Sequence, residues 1–85
     1  MTDELLSLKE RISEGVTDDL LNDLQKYASD HPTSDEVYFL IGNAHRRREH
    51  WKEAMNAYLT AVEINPESPA RHAYRAIVEV LDFYN

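Results

Sequence analysis

Residues 35–68, DEVYFLIGNAHRRREHWKEAMNAYLTAVEINPES, decide how the rest of the chain is read. At about 100° per residue, Tyr38, Ile41, Gly42 and His45 fall on one face of a helix running to about Arg48. After a short turn, Ala54, Met55, Tyr58, Ala61 and Val62 form the apolar stripe of a helix over 51–64, which Asn65-Pro66 ends. The unit recurs. His31-Pro32 is followed by Asn65-Pro66, a spacing of 66 − 32 = 34 residues. A helix, a turn and a second helix repeated at that period imply an all-α array of antiparallel helix-turn-helix units, about five helices in all.

Outward toward the N-terminus, Thr2 is placed to cap a helix over 3–14, with Asp3 and Glu4 in its first turn and Leu5, Leu8 and Ile12 on its apolar face. Gly15 ends that helix, because glycine turns freely into backbone conformations with positive φ. Thr17 caps the next, whose stripe is Leu20, Leu21, Leu24, Tyr27 and Ala28 and which ends near Ser29 or Asp30, ahead of Pro32. Thr33 and Glu36 have capping-box spacing for the third helix. Beyond Pro66, Ser68-Pro69 reads as an N-cap and first helical residue, opening a fifth helix over 69–84.

Residues 35–68 resemble the tetratricopeptide repeat. Tyr38, Ile41-Gly42, His45, Ala54, Tyr58, Ala61 and Pro66 stand where that family's pattern is specified. Gly15, Leu20, Leu24 and Pro32 match the second half of a preceding unit, whereas Glu4, Ser7, Leu8 and Arg11 depart from its first half. The resemblance divides a single domain, 1–85, into a degenerate repeat (1–34), a well-formed one (35–68) and a terminal or capping helix (69–85). It implies close helix approach at Gly42, Ala54 and Ala61, with Tyr38, Trp51 and Tyr58 filling the gaps around them. Leucine at Gly42 is then expected to overpack the pair by ~1–3 kcal/mol.

The function the resemblance implies is non-catalytic: binding a short peptide segment of a partner protein in a helical-repeat groove. The third helix carries a second face for that work, and Glu36, Phe39, Leu40, Asn43, Arg46 and Arg47 are the expected peptide-binding strip. Some family members hold a chaperone's C-terminal carboxylate with basic residues plus asparagine. Asn43 matches that asparagine, but Phe39 stands at a basic position and the preceding unit supplies Leu5 and Lys9, so a full clamp is not supported. The alternative is a structural role. In strict 34-residue register the fifth helix would turn His72, Arg75, Ala76 and Glu79 inward; shifted by two it turns in Tyr74, Ile77, Val78 and Leu81. Apolar surface is left over in either case, and Ile77, Val80, Leu81 and Tyr84 are the expected self-association face of a possible homodimer or docked assembly.

Composition narrows the remaining classes. A net charge of −7 disfavours nucleic-acid binding, which rests on basic residues displacing phosphate counterions. Residues 1–34 hold eight acidic and three basic side chains, so the acidity lies in the first unit. No run approaches the ~20 apolar residues of a membrane span, the N-terminus lacks the pattern of a secretory signal, and there is no cysteine, which together predict a cytoplasmic protein.

No phosphate loop, cysteine nucleophile or nucleophile elbow is present, and Glu10 with Glu14 or Asp18 with Asp19 lie on exposed helix faces and ends that do not provide the shielded pocket acid–base catalysis requires. An enzyme is not expected, nor is a cofactor. His45, Glu49 and His50 are close enough in sequence to be drawn as a metal site, but His45 occupies a packing position, and no metal is expected there. The Arg46-Arg47-Arg48 run either attracts a peptide carboxylate or meets the helix C-terminal dipole.

Overall fold

The computed structural model describes residues 2–84, the side chain of Tyr84 excepted. It contains helices α1 (Asp3–Glu14), α2 (Asp18–Asp30), α3 (Asp35–Arg47), α4 (Trp51–Ile64) and α5 (Ala70–Tyr84), and no strand among the described residues. Local chemistry sets these boundaries. The Thr2 and Thr17 hydroxyls accept from the N–H groups of Leu5 and Leu20, each at 3.1 Å, as their positions predict. Gly15 ends α1 at φ +143°, donating its N–H to Arg11 and Ile12. At α3 the cap is Ser34, which accepts from Val37, and not Thr33, which lies in the turn after Pro32. Ser68 is buried and accepts from Ala70 N–H at 3.1 Å, opening α5.

The α3–α4 connection closes by backbone bonds alone. His50 N–H reaches back to His45 C=O and Glu49 N–H to Arg46 C=O, both at 2.9 Å, with Glu49 at φ +60°. This is the six-to-one closure that usually places glycine in the left-handed position, here occupied by a glutamate. At the repeat's far end, Asn65 Oδ1 accepts from Glu67 N–H at 3.1 Å, a local Asx turn before the next helix.

Each helix packs on the next, and α1 also packs on α3. The molecule is a flattened block of 39 × 27 × 17 Å, too thin for one central core, and its apolar residues divide into two clusters. Leu5, Leu8, Ile12, Leu20, Leu24, Tyr27 and Ala28 pack against Val37, Leu40, Ile41 and Ala44 of α3. Ala54, Tyr58 and Ala61 of α4 pack against Ala70 and Ile77 of α5, with Phe39, Trp51, Met55, Tyr74 and Leu81 around them. Helix α3 therefore has apolar neighbours on two sides. The unit that departs from the family pattern packs through Leu5, Leu8 and Ile12, the residues its periodicity predicts.

Helix α5 sits chiefly on α4. Tyr74, Ile77 and Leu81 turn inward, as in the register shifted by two residues rather than the strict one, but Ala73 joins them in the cluster and Val78, also expected there, is half-buried outside it. Val80, expected beside Ile77 and Leu81 on the self-association face, is 45% exposed. No helix of the described residues is long and apolar enough to cross a membrane.

Candidate protein-interaction surface

The surface is organised by one close contact inside the repeat. Gly42 of α3 faces the ring of Tyr58 of α4, and a Cβ added at residue 42 would overlap that ring. The Tyr58 side chain is fully buried and runs under α3, where its hydroxyl donates to Asn43 Oδ1 at 2.5 Å and its ring lies 6.0 Å from that of Phe39. Asn43 is thereby held by its oxygen, and its amide nitrogen keeps its capacity as a donor. Burial pushes the Tyr58 phenol above its ordinary value of 10.0.

The sign of that shift gives a prediction. A phenol that ionises less readily in the folded chain stabilises it fully below pH 10 and loses that contribution as pH rises through and beyond 10. Tyr58→Phe is expected to cost ~0.5–1.5 kcal/mol at neutral pH for the lost hydrogen bond, and to flatten the alkaline decline in stability. Denaturant melts across that range check both parts. An unchanged alkaline slope would remove Tyr58 as its source.

Between α1 and α3 lies a hollow of about 290 Å³, lined by Lys9, Ile12 and Ser13 from one helix and Leu40, Asn43, Arg46 and Arg47 from the other. Leu40 is only 2% exposed; it belongs to the core and forms the floor of the hollow rather than a projecting anchor. Phe39 is half-buried in the second core cluster and, like half-buried Glu36, does not line the hollow. Of the expected strip, four residues meet at one place and two do not. Lys9 and Ser13 complete it from α1, brought there by the packing of that helix through Leu5, Leu8 and Ile12.

The charges of the hollow run against those of the whole chain. Arg48 is tied to Asp18 of α2 at 2.9 Å, which holds the Asp18 carboxyl below its ordinary value, and Arg11 is tied to Asp23 at 2.7 Å. Arg46 and Arg47 are exposed and, like Lys9, make no ion pair among the described residues. Three cations, a serine hydroxyl and an amide donor thus surround an apolar floor.

A second hollow, of about 240 Å³ and almost wholly apolar, lies where α3, α4 and α5 meet, lined by Arg46, Trp51, Ala76, Ile77 and Val80. Of the expected self-association residues, Ile77 is 2% exposed and faces α4, and Leu81 is half-buried against the same cluster. Of these expected residues, Val80 is the one that is exposed among the described side chains; the side chain of Tyr84 lies outside the described residues. On the other side of α3, His45 and His50 face each other with Nδ1 atoms 3.4 Å apart, and burial lowers the pKa of His45.

Stacked antiparallel helix pairs that pack nearest neighbours and expose helix-lined hollows define a helical-repeat module, of the kind that serves protein–protein interaction. Residues 35–68 match the tetratricopeptide repeat family model. The solution NMR structure of Bacteroides fragilis protein BF1650 is similar along the whole fold, with 39% identity over 99% of this chain and 86% of that one and a TM-score of 0.91. The chain belongs to one family with BF1650, and residues 35–68 form a tetratricopeptide repeat within it. A search of curated proteins finds no match.

Proposed function

We propose that the chain binds a short acidic segment of a partner protein, or its C-terminal carboxylate, in the hollow between α1 and α3. The observation that carries this reading is the gathering of Lys9, Arg46 and Arg47, none of them in an ion pair among the described residues, around the Asn43 amide in a chain of net charge −7. Arginine forks pair with carboxylates through two parallel hydrogen bonds, and the Leu40 and Ile12 floor takes one apolar side chain of the ligand. Nothing in this role requires bond chemistry; recognition comes from shape and a few charged anchors.

A second reading has one observation in its favour. Exposed Val80 borders the apolar hollow at Ala76 and Trp51, a surface suited to a second copy of the chain meeting it about a two-fold axis. Charge at Ile77 would not test this, because that side chain is core; Val80→Glu does.

One experiment separates the readings. An array of acidic peptides with free and amidated C-termini is titrated with the wild-type chain, with Arg46→Glu/Arg47→Glu and with Val80→Glu, while light scattering reports the solution mass of each. Peptide binding that weakens with salt and falls at least about tenfold in the arginine variant, but not in Val80→Glu, is the expected result. If no acidic peptide is enriched and the mass is that of two chains, falling to one in Val80→Glu, the peptide reading fails and the assembly reading replaces it.

A further inference from the structure

The geometry points to a divalent transition-metal site, of zinc type, formed by His45, His50 and Glu53 at the α3–α4 turn. The three side chains each offer one ligand atom, and those atoms all lie within 4.8 Å of one another. His45 Nδ1 and His50 Nδ1 are 3.4 Å apart, and Glu53 Oε2 is 3.8 Å from His50 Nδ1. Two nitrogen ligands about 2.0–2.1 Å from a tetrahedral zinc are themselves separated by roughly 3.3–3.4 Å, so the two imidazoles already stand as an edge of that tetrahedron. The carboxylate, 3.8 Å from His50 Nδ1 and within 4.8 Å of the His45 ligand atom, reaches the third corner by a side-chain rotation that shortens these edges to roughly 3.4 Å. The fourth is left to water.

The backbone prepares this arrangement. His45 is in the last turn of α3 and His50 immediately precedes α4, and the 2.9 Å bond from His50 N–H to His45 C=O clips the two residues together. His50 makes no side-chain cap bond to α4, so its ring is not engaged in holding the helix start. Glu53, in the first turn of α4, rises on the same side. Glu49, the acidic neighbour that the linear sequence offers, is instead the residue at φ +60° in the turn and is not one of the three. An imidazole pair without metal shares one proton in an N–H···N bond, but 3.4 Å is long for such a bond. Two imidazoles and one carboxylate form a donor set for zinc, nickel or copper, not for magnesium or calcium, which take oxygen ligands.

The site lies on the side of α3 away from Asn43 and Arg47, so it is separate from the peptide hollow. Its bound ion would staple α3 to α4 across the turn, and the melting temperature would rise with metal concentration.

The test is calorimetric titration of zinc chloride into the untagged chain, followed by long-range imidazole nitrogen spectra that separate the four histidines. One zinc per chain is expected, with the Nδ1 signals of His45 and His50 shifting and those of His31 and His72 still. Removing a direct ligand by His50→Ala or Glu53→Gln is expected to weaken binding by more than the ~10–100-fold that loss of an outer partner brings, with helicity retained. Magnesium should give no heat. The site is refuted by the absence of saturable zinc binding, by one-to-one binding that survives His50→Ala, or by shifts confined to His31 and His72.

Discussion

Gly42→Leu is expected to leave the chain largely unfolded at moderate temperature, or to lower its melting temperature by more than ~12 °C. The sequence alone supports overpacking of ~1–3 kcal/mol, the range for extra methylenes in a core that can adjust. The structure raises that figure, because the group in the way is the fully buried Tyr58 ring and not the end of a flexible side chain. Even a single Cβ overlaps it. The ring has little freedom to move aside: its hydroxyl is bonded to Asn43 on the helix that carries Gly42, and Phe39 stands beside it. A chain of this size holds only about 4–13 kcal/mol of stability, and 3 kcal/mol or more is a large part of it. Thermal melts by circular dichroism decide the matter; a Gly42→Leu melt within ~4 °C of the parent would mean that α3 and α4 can part without loss.

Tyr58→Ala is expected to cost ~3–5 kcal/mol, by the opposite mechanism. The side chain is 0% exposed and stands at the centre of the second core cluster, so its removal leaves a cavity bounded by Gly42, Phe39 and the α5 contacts, and an Asn43 oxygen without its donor. The two substitutions share one volume. Leucine at residue 42 partly fills the space vacated by Tyr58, so the double variant should be less destabilised than the sum of the singles by ~0.5–3 kcal/mol. Strict additivity in denaturant melts would show that the two residues do not meet.

The elements of this fold are legible residue by residue because their determinants are local. Thr2 and Thr17 cap the helices they precede, Gly15 closes α1, and Pro32 and Pro66 follow the ends of α2 and α4. The Thr33 and Glu36 spacing misplaces one boundary by one residue, since Ser34 competes for the same role and wins once Thr33 is drawn into the turn. Periodicity names the α5 face only after a choice of register. The shift by two residues prevails because it turns Tyr74, Ile77 and Leu81 inward in place of His72, Arg75 and Glu79.

The surface is less legible. A helical wheel of α3 puts Leu40 beside Asn43 and Arg47, but it cannot tell that α1 covers that edge, and Leu40 becomes core. The same covering helix contributes Lys9 and Ser13, which lie more than 25 residues from Asn43 in the chain. Glu53 replaces Glu49 beside the histidine pair because the turn closes with Glu49 at positive φ.

By itself, then, the sequence determined five helices, their caps and stops, the 34-residue period and the tetratricopeptide character of residues 35–68. Hydrogen bonding within a turn and apolar spacing along a helix act over a few residues and need no knowledge of neighbours. Only the tertiary structure decided that Leu40 and Ile77 are interior, that Lys9 joins Asn43, Arg46 and Arg47, and that His45, His50 and Glu53 converge. These outcomes depend on where α1 and α4 come to rest against α3, and that is set by close packing between helices, which a one-dimensional pattern does not contain.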